Sequence, residues 1–174
     1  MGVLSHGEFD DLYRQYRGAV YRTIRGVVLD ADLAQDIAHD AFMRAWSERE
    51  RFRGEGGRTA VAWVTRIGVN LAITHLRRKR IGALKLALVG RSLERTQRDE
   101  IDEAEGRSVV EQALARVPAK YRVVLGLVYY CGFTRPEIAD ILGIPEGTVA
   151  SRLATGTAAM RRLLSRVPVR ATAG

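Results

Sequence analysis

Along the first half of the chain apolar residues recur every three or four positions. Phe9, Leu12, Tyr16, Val20, Ile24 and Val27 share one face of a helix predicted over about Phe9 to Leu29. Leu33, Ile37, Ala41, Phe42 and Ala45 do the same over about Ala31 to Trp46, and Val64, Ile67 and Leu71 over about Ala60 to Arg80. Between the last two, "SERERFRGEGGRT" reads as a charged loop, Ser47 to Thr59. No stretch alternates in the manner of a half-buried strand.

The second half has shorter periods, with punctuation between them. Ser108 and Glu111 form a capping box, Pro118 ends one helix and opens the next, and that helix stops at Gly132. Thr134 and Glu137 form another capping box, with Pro136 tolerable in a first turn. A short helix, Gly143, a turn through Pro145 and a helix from Glu146 then make a helix-turn-helix pattern. Ala139 is small enough for two helices to cross, Gly143 can take positive φ, and Val149 packs between them. The expected fold is all-α, with two small helical domains joined by a linker. The expected boundaries are a first domain over 1–80, a linker over 81–107, a second domain over 108–167 and a tail over 168–174. Within the linker, "IGALKLALVG" reads as a short separate helix docking on one module.

Charge sharpens this division. The net charge is +8 with a pI near 10.2, which favours an anionic partner such as nucleic acid. Residues 1–80 carry 14 basic and 10 acidic side chains, residues 108–174 carry 9 and 4, and the segment between them carries 5 and 6. Two basic modules thus flank an acidic, polar connector. Cys131 is the single cysteine, which excludes an internal disulfide, and its apolar setting predicts a buried, inert thiol. No basic-then-apolar leader opens the sequence and no run reaches membrane length, so a cytoplasmic protein with no direct membrane insertion is expected. His6, His39 and His75 fall in three different segments, and no nucleophile or ligand spacing surrounds them. Neither an enzyme nor a metal or other cofactor is expected.

Three polar faces carry the candidate chemistry. On the second helix Asp32, Asp36 and Asp40 lie four residues apart, with Gln35 and His39 beside them. Such a stripe is either a solvated face or a dock for a basic partner helix. On the third, Arg66, Asn70, Thr74, Arg77 and Arg78 form a polar stripe closed by "RRKR", and Trp63 stands one turn before Arg66. An aromatic beside basic residues suits stacking with a single-stranded base, and it suits a core position equally well. The outward positions of the last helix are Thr148, Ser151, Arg152 and Thr155, where a helix-turn-helix reads the major groove. From Leu153 to Met160 that helix then carries no charge at all, with Gly156 in the middle.

"DADLAQDIAHDAFMRAW", "AWVTRIGVNLAITHLRRKR" and "VVEQALARVPAKYRVVLGLVYYCGFTRPEIADILGIPEGTVASRL" together resemble the extracytoplasmic-function (ECF) group of bacterial RNA polymerase sigma factors. The match runs from about Phe9 to Leu164. The resemblance implies that the first module is sigma region 2, with Asp32, Gln35, Asp36, His39 and Asp40 docking on core RNA polymerase. It implies that Trp63, Arg66, Asn70, Thr74, Arg77 and Arg78 face the melted strand of the minus-ten element. It assigns Thr148, Ser151, Arg152 and Thr155, in region 4, to the duplex minus-thirty-five element. Core polymerase, promoter DNA and an anti-sigma factor are the partners implied. The chain departs from the family pattern at Ala150, Thr155 and Thr157, where basic residues are usual, and at Thr74, where aspartate is common. The alternative is a stand-alone helix-turn-helix regulator with an N-terminal sensor or dimerisation domain. The sequence leaves open whether the two modules close on each other.

Overall fold

The computed structural model describes residues 4–54, 56–88 and 108–165, and within them it contains seven α-helices and no strand. Most of the expected linker, Arg166 and the tail lie outside the described residues. The helices are α1 (His6–Val28), α2 (Ala31–Ser47), α3 (Gly56–Leu88), α4 (Val109–Ala115), α5 (Ala119–Tyr129), α6 (Arg135–Leu142) and α7 (Glu146–Leu164). No described helix is long and apolar enough to cross a membrane.

Helices α1, α2 and α3 pack pairwise into a three-helix unit. Its start is fixed by Ser5, whose backbone N–H donates to Glu8 at 2.9 Å while its hydroxyl accepts from the Glu8 N–H at 3.3 Å. Leu29 turns the chain in a left-handed conformation, φ 63°, and Asp30 then caps α2 by accepting from Leu33 N–H at 2.9 Å. Val20, Ile24, Val27, Ala41 and Val64 are fully buried, as the helical periodicity predicts, whereas Ile67 and Leu71 of the expected α3 face are only partly buried and Val61 and Val69 are fully buried beside them. Removing such side chains from water stabilises the unit by about 1.5–3 kcal/mol each.

Two expectations change here. The charged loop is shorter than predicted: a 3₁₀ turn spans Arg49–Arg51, Phe52 is buried, and α3 already begins at Gly56. Nor is "IGALKLAL" a separate docked helix. It continues α3 to Leu88, and Ile81, Leu84 and Leu86 stay exposed. Nothing between Arg80 and Ile81 breaks the helix, because Gly82 alone weakens it by only about 1 kcal/mol.

In the second unit α7 packs on α4, α5 and α6. Part of the uncharged stretch of α7 owes its composition to this packing. Gly156 is buried against α5, where an added Cβ would lie 3.2 Å from Leu125 Cδ1 and 3.2 Å from Tyr121 Cβ. Thr157, next to it, and Met160, one turn on, line an apolar pocket of about 400 Å³ with Leu125, Tyr129 and Leu164. A basic residue at 157 would be partly desolvated there. Thr155 is exposed, and nothing in the structure explains its neutrality. Gly156→Leu is expected to lower the stability of this unit by about 1–3 kcal/mol through overpacking. Urea denaturation checks this, and an unchanged midpoint would contradict the close crossing.

The two units also pack on each other, α1 against α5 and α4, and α3 against α6. Their buried apolar residues form one continuous cluster from Phe9 to Val149. The arrangement of the described chain is therefore closed.

Candidate polymerase and nucleic-acid interfaces

Asp32, Gln35, Asp36, His39 and Asp40 are all exposed on α2, while Ala34, Ile37, Ala38 and Ala41 are buried on its other side. No hydrogen bond or ion pair to another described residue quenches Asp32, Asp36 or Asp40, so their negative charge is fully presented. Beside them, a groove of about 560 Å³ between α1 and α2 is lined by Tyr13, Arg17, Tyr21, Asp36, His39 and Phe42. Tyr13 is 39% exposed and sits edge-on to Phe42 at 5.0 Å, and Met43, one turn beyond His39, is 53% exposed. Carboxylates beside exposed apolar side chains suit a basic amphipathic helix better than bare solvent. The charge pattern alone did not reveal Tyr13 and Met43 as members of this face. Their spacing on separate helices becomes contiguous only after folding.

On α3, Arg66, Asn70, Thr74, Arg77 and Arg78 are exposed, and the structure brings them onto one long side of the helix. Trp63 is half-buried, which reconciles its two readings. Its ring lies 5.3 Å from the Phe52 ring at 37°, and part of the residue stays accessible to solvent. Phe52, 7% exposed, thus anchors the tryptophan. The sequence pattern missed this role because Phe52 lies within a charged run.

In the helix-turn-helix, Gly143 ends α6 at φ 62°, a left-handed conformation that favours glycine, and Val149 is fully buried between the helices. Ser151 and Thr155 are exposed, and Thr148 and Arg152 half-buried, so the first turns of α7 are presented to solvent. Thr134 N–H and Oγ1 donate to Glu137 at 2.7 and 2.8 Å and hold the start of α6.

Glu137 has a second role that no local motif announces. Arg58, at the start of α3, binds it in a bidentate pair at 2.6 and 2.8 Å and donates to the Gly132 carbonyl at 2.7 Å. The guanidinium bonds, with the capping bonds of Thr134, hold the Glu137 carboxyl at about 2. A carboxylate depressed in this way contributes fully above its ordinary 4.5, and that contribution fades as pH falls through about 2. Arg58 and Glu137 are 79 residues apart in sequence, and neither signals the other. Cys131 is buried as expected, and burial pushes its thiol pKa up.

Comparison with known proteins places both units. The Sigma-70 region 2 family matches residues 12–81, and the Sigma-70, region 4 family matches residues 107–167. The ECF RNA polymerase sigma factor SigL of Mycobacterium tuberculosis is 31% identical over 159 residues, covering 91% of this chain and 89% of that protein. The ECF RNA polymerase sigma factor SigW of Bacillus subtilis is 29% identical over 167 residues, covering 90% and 88%. Among solved structures, the sigma factor RpoE of Bartonella quintana, in complex with the anti-sigma factor NepR, superposes with a TM-score of 0.70 at 19% identity, covering 91% of this chain and 98% of that one. CnrH in complex with the cytosolic domain of CnrY gives 0.64 at 23% identity, covering 92% and 90%.

Proposed function

The chain belongs to the ECF group of RNA polymerase sigma factors, and on that premise we propose how its surfaces share the work of starting transcription. As a sigma factor it binds core RNA polymerase and directs promoter recognition and initiation. Sigma factors as a family are not catalysts, and bond formation belongs to the polymerase. The exposed, unquenched acidic face of α2 docks on core polymerase through Asp32, Gln35, Asp36, His39 and Asp40, with Tyr13 and Met43 as apolar anchors. The α3 face reads the minus-ten element as an opened strand, and Thr148, Ser151, Arg152 and Thr155 read the minus-thirty-five element as duplex.

The observation that carries this division is the half-open Trp63 on its Phe52 anchor at the head of a basic stripe. Melting without ATP needs binding energy that only a separated strand can use. Stacking a flipped base on an aromatic is worth about 1–3 kcal/mol, and disrupting one base-pair step costs about 1.4 kcal/mol on average. One captured base therefore offsets about one broken step, and the cations of Arg66, Arg77 and Arg78 hold the strand that follows. Trp63→Ala is expected to cut permanganate reactivity of minus-ten thymines in the polymerase–promoter complex by about tenfold. Undiminished reactivity would remove Trp63 from melting.

We place the protein in the cytoplasm, where core polymerase and promoter DNA are. An anti-sigma factor is a further proposed partner, since the similar RpoE structure is a complex with one.

A further inference from the structure

The α2, promoter-strand and helix-turn-helix faces leave the end of α3 without an assignment. Ala72 is the last fully buried residue of that helix, and from Arg77 to Leu86 each residue is exposed except half-buried Ala83. The helix therefore leaves the body of its unit and carries residues 77–88, about 17 Å of helix, outward. Arg77, Ile81 and Leu84 follow one another at helical spacing, with Ile81 46% and Leu84 53% exposed. By the same spacing Arg80 flanks this seam on one side, and Arg78 and Lys85 flank it on the other. Apolar side chains held in water between cations mark a contact surface rather than a solvated face.

The α2 face is its complement in charge, length and apolar content. Residues 77–88 hold five basic and no acidic side chains, and residues 32–43 hold three acidic and no basic ones. Each stretch spans about 17 Å of helix. Ile81 and Leu84 match Tyr13 and Phe42 in the α1–α2 groove and the exposed Met43 beside it. Arg17, the cation lining that groove, lies over the Tyr13 ring at 5.9 Å. The end of α3 cannot reach the groove of its own chain, because α3 is unbroken from Gly56 to Leu88 and its buried middle is packed on α2.

We infer that the end of α3 from one copy docks in the α1–α2 groove of a second copy, as a basic amphipathic helix in an acidic-lipped groove. The two surfaces differ, so a docked pair still offers one free end and one free groove. The contact therefore propagates as an open chain rather than closing as a symmetric dimer. An occupied groove covers Asp36 and Tyr13. On the sigma-factor reading, on which this consequence rests, self-association withholds the polymerase-docking face, and polymerase and a second copy compete for it. Only copies with a free groove can dock, so apparent affinity for polymerase falls as the protein becomes more concentrated.

Sedimentation of the full-length protein tests this. At low salt the weight-average mass is expected to rise with concentration above the 19.3 kDa of one chain, and to fall back as salt screens the contact. Leu84→Asp spoils the end and Asp36→Arg spoils the groove. Both change exposed residues, and each variant is expected to sediment as a monomer. Mixed together, the two are expected to pair one to one and grow no further, because each keeps the surface the other lacks. A native chain that stays monomeric, a single variant that still assembles alone, or a mixture that does not pair would overturn the inference. So would a native monomer that binds phosphatidylserine vesicles and loses them with Leu84→Asp, since the seam would then be a lipid contact. Core polymerase is expected to dissolve the native assemblies into complexes holding one copy each. If the variants pair but polymerase leaves the native assembly intact, the α2 docking assignment fails and the self-association stands.

Discussion

Asp36→Arg is expected to weaken association with core polymerase by about 30-fold or more. Asp36 is exposed at the lip of the α1–α2 groove, and no described residue neutralises it. Reversing its sign opposite a basic partner helix replaces attraction with like-charge contact, which costs several kcal/mol at a docked interface. Each 1.4 kcal/mol is tenfold in affinity, so a loss of about 2 kcal/mol already reaches this figure. The fold is expected to remain intact. The buried residues of α2 lie on the opposite side, and an exposed Asp at this position gives the helix no cap. Co-purification with core enzyme, alongside thermal denaturation of the isolated variant, separates the two effects. Undiminished co-purification would remove the α2 docking assignment.

Arg152→Ala is expected to reduce initiation from promoters that need a minus-thirty-five element by about five- to a hundredfold. A bidentate arginine–guanine contact is worth about 1–3 kcal/mol of discrimination. Arg152 carries the only charge between Val149 and Met160, so little nearby can replace it. Thr155→Arg, at an exposed position on the same face, is expected to tighten binding and steepen the dependence of log K on log salt by about one unit. Together they test the idea that α7 binds its element weakly and relies on polymerase and the first unit for affinity. Equal salt slopes for the Thr155→Arg variant and the native chain would contradict it.

Much of this molecule was legible in the sequence because its helices are local objects. The periodicity of Phe9 to Val27, the Thr134–Glu137 cap and the turn at Gly143 each need only a few neighbouring residues, and each stands where the pattern puts it. The exposed faces of α2, α3 and α7 follow from the same periodicity. What local pattern did not show was set by partners far along the chain. Arg58 looked like one more loop charge until Glu137 met it. Gly156 looked like a weak point of its helix until Leu125 came into contact with it, and nothing near Gly126 in sequence points to Thr23. The neutral stretch of α7 looked like missing DNA contacts, and Thr157 and Met160 instead line its packing against α5. Thr155 keeps the original puzzle, exposed and uncharged.

The most direct measurement is in vitro transcription by bacterial core polymerase on genomic DNA from the source organism, with and without this protein. The expected result is a set of discrete start sites present only with the protein, sharing sequence near −10 and −35. A protein that yields no such starts yet shifts duplex promoter DNA on its own would contradict the account and favour a stand-alone regulator.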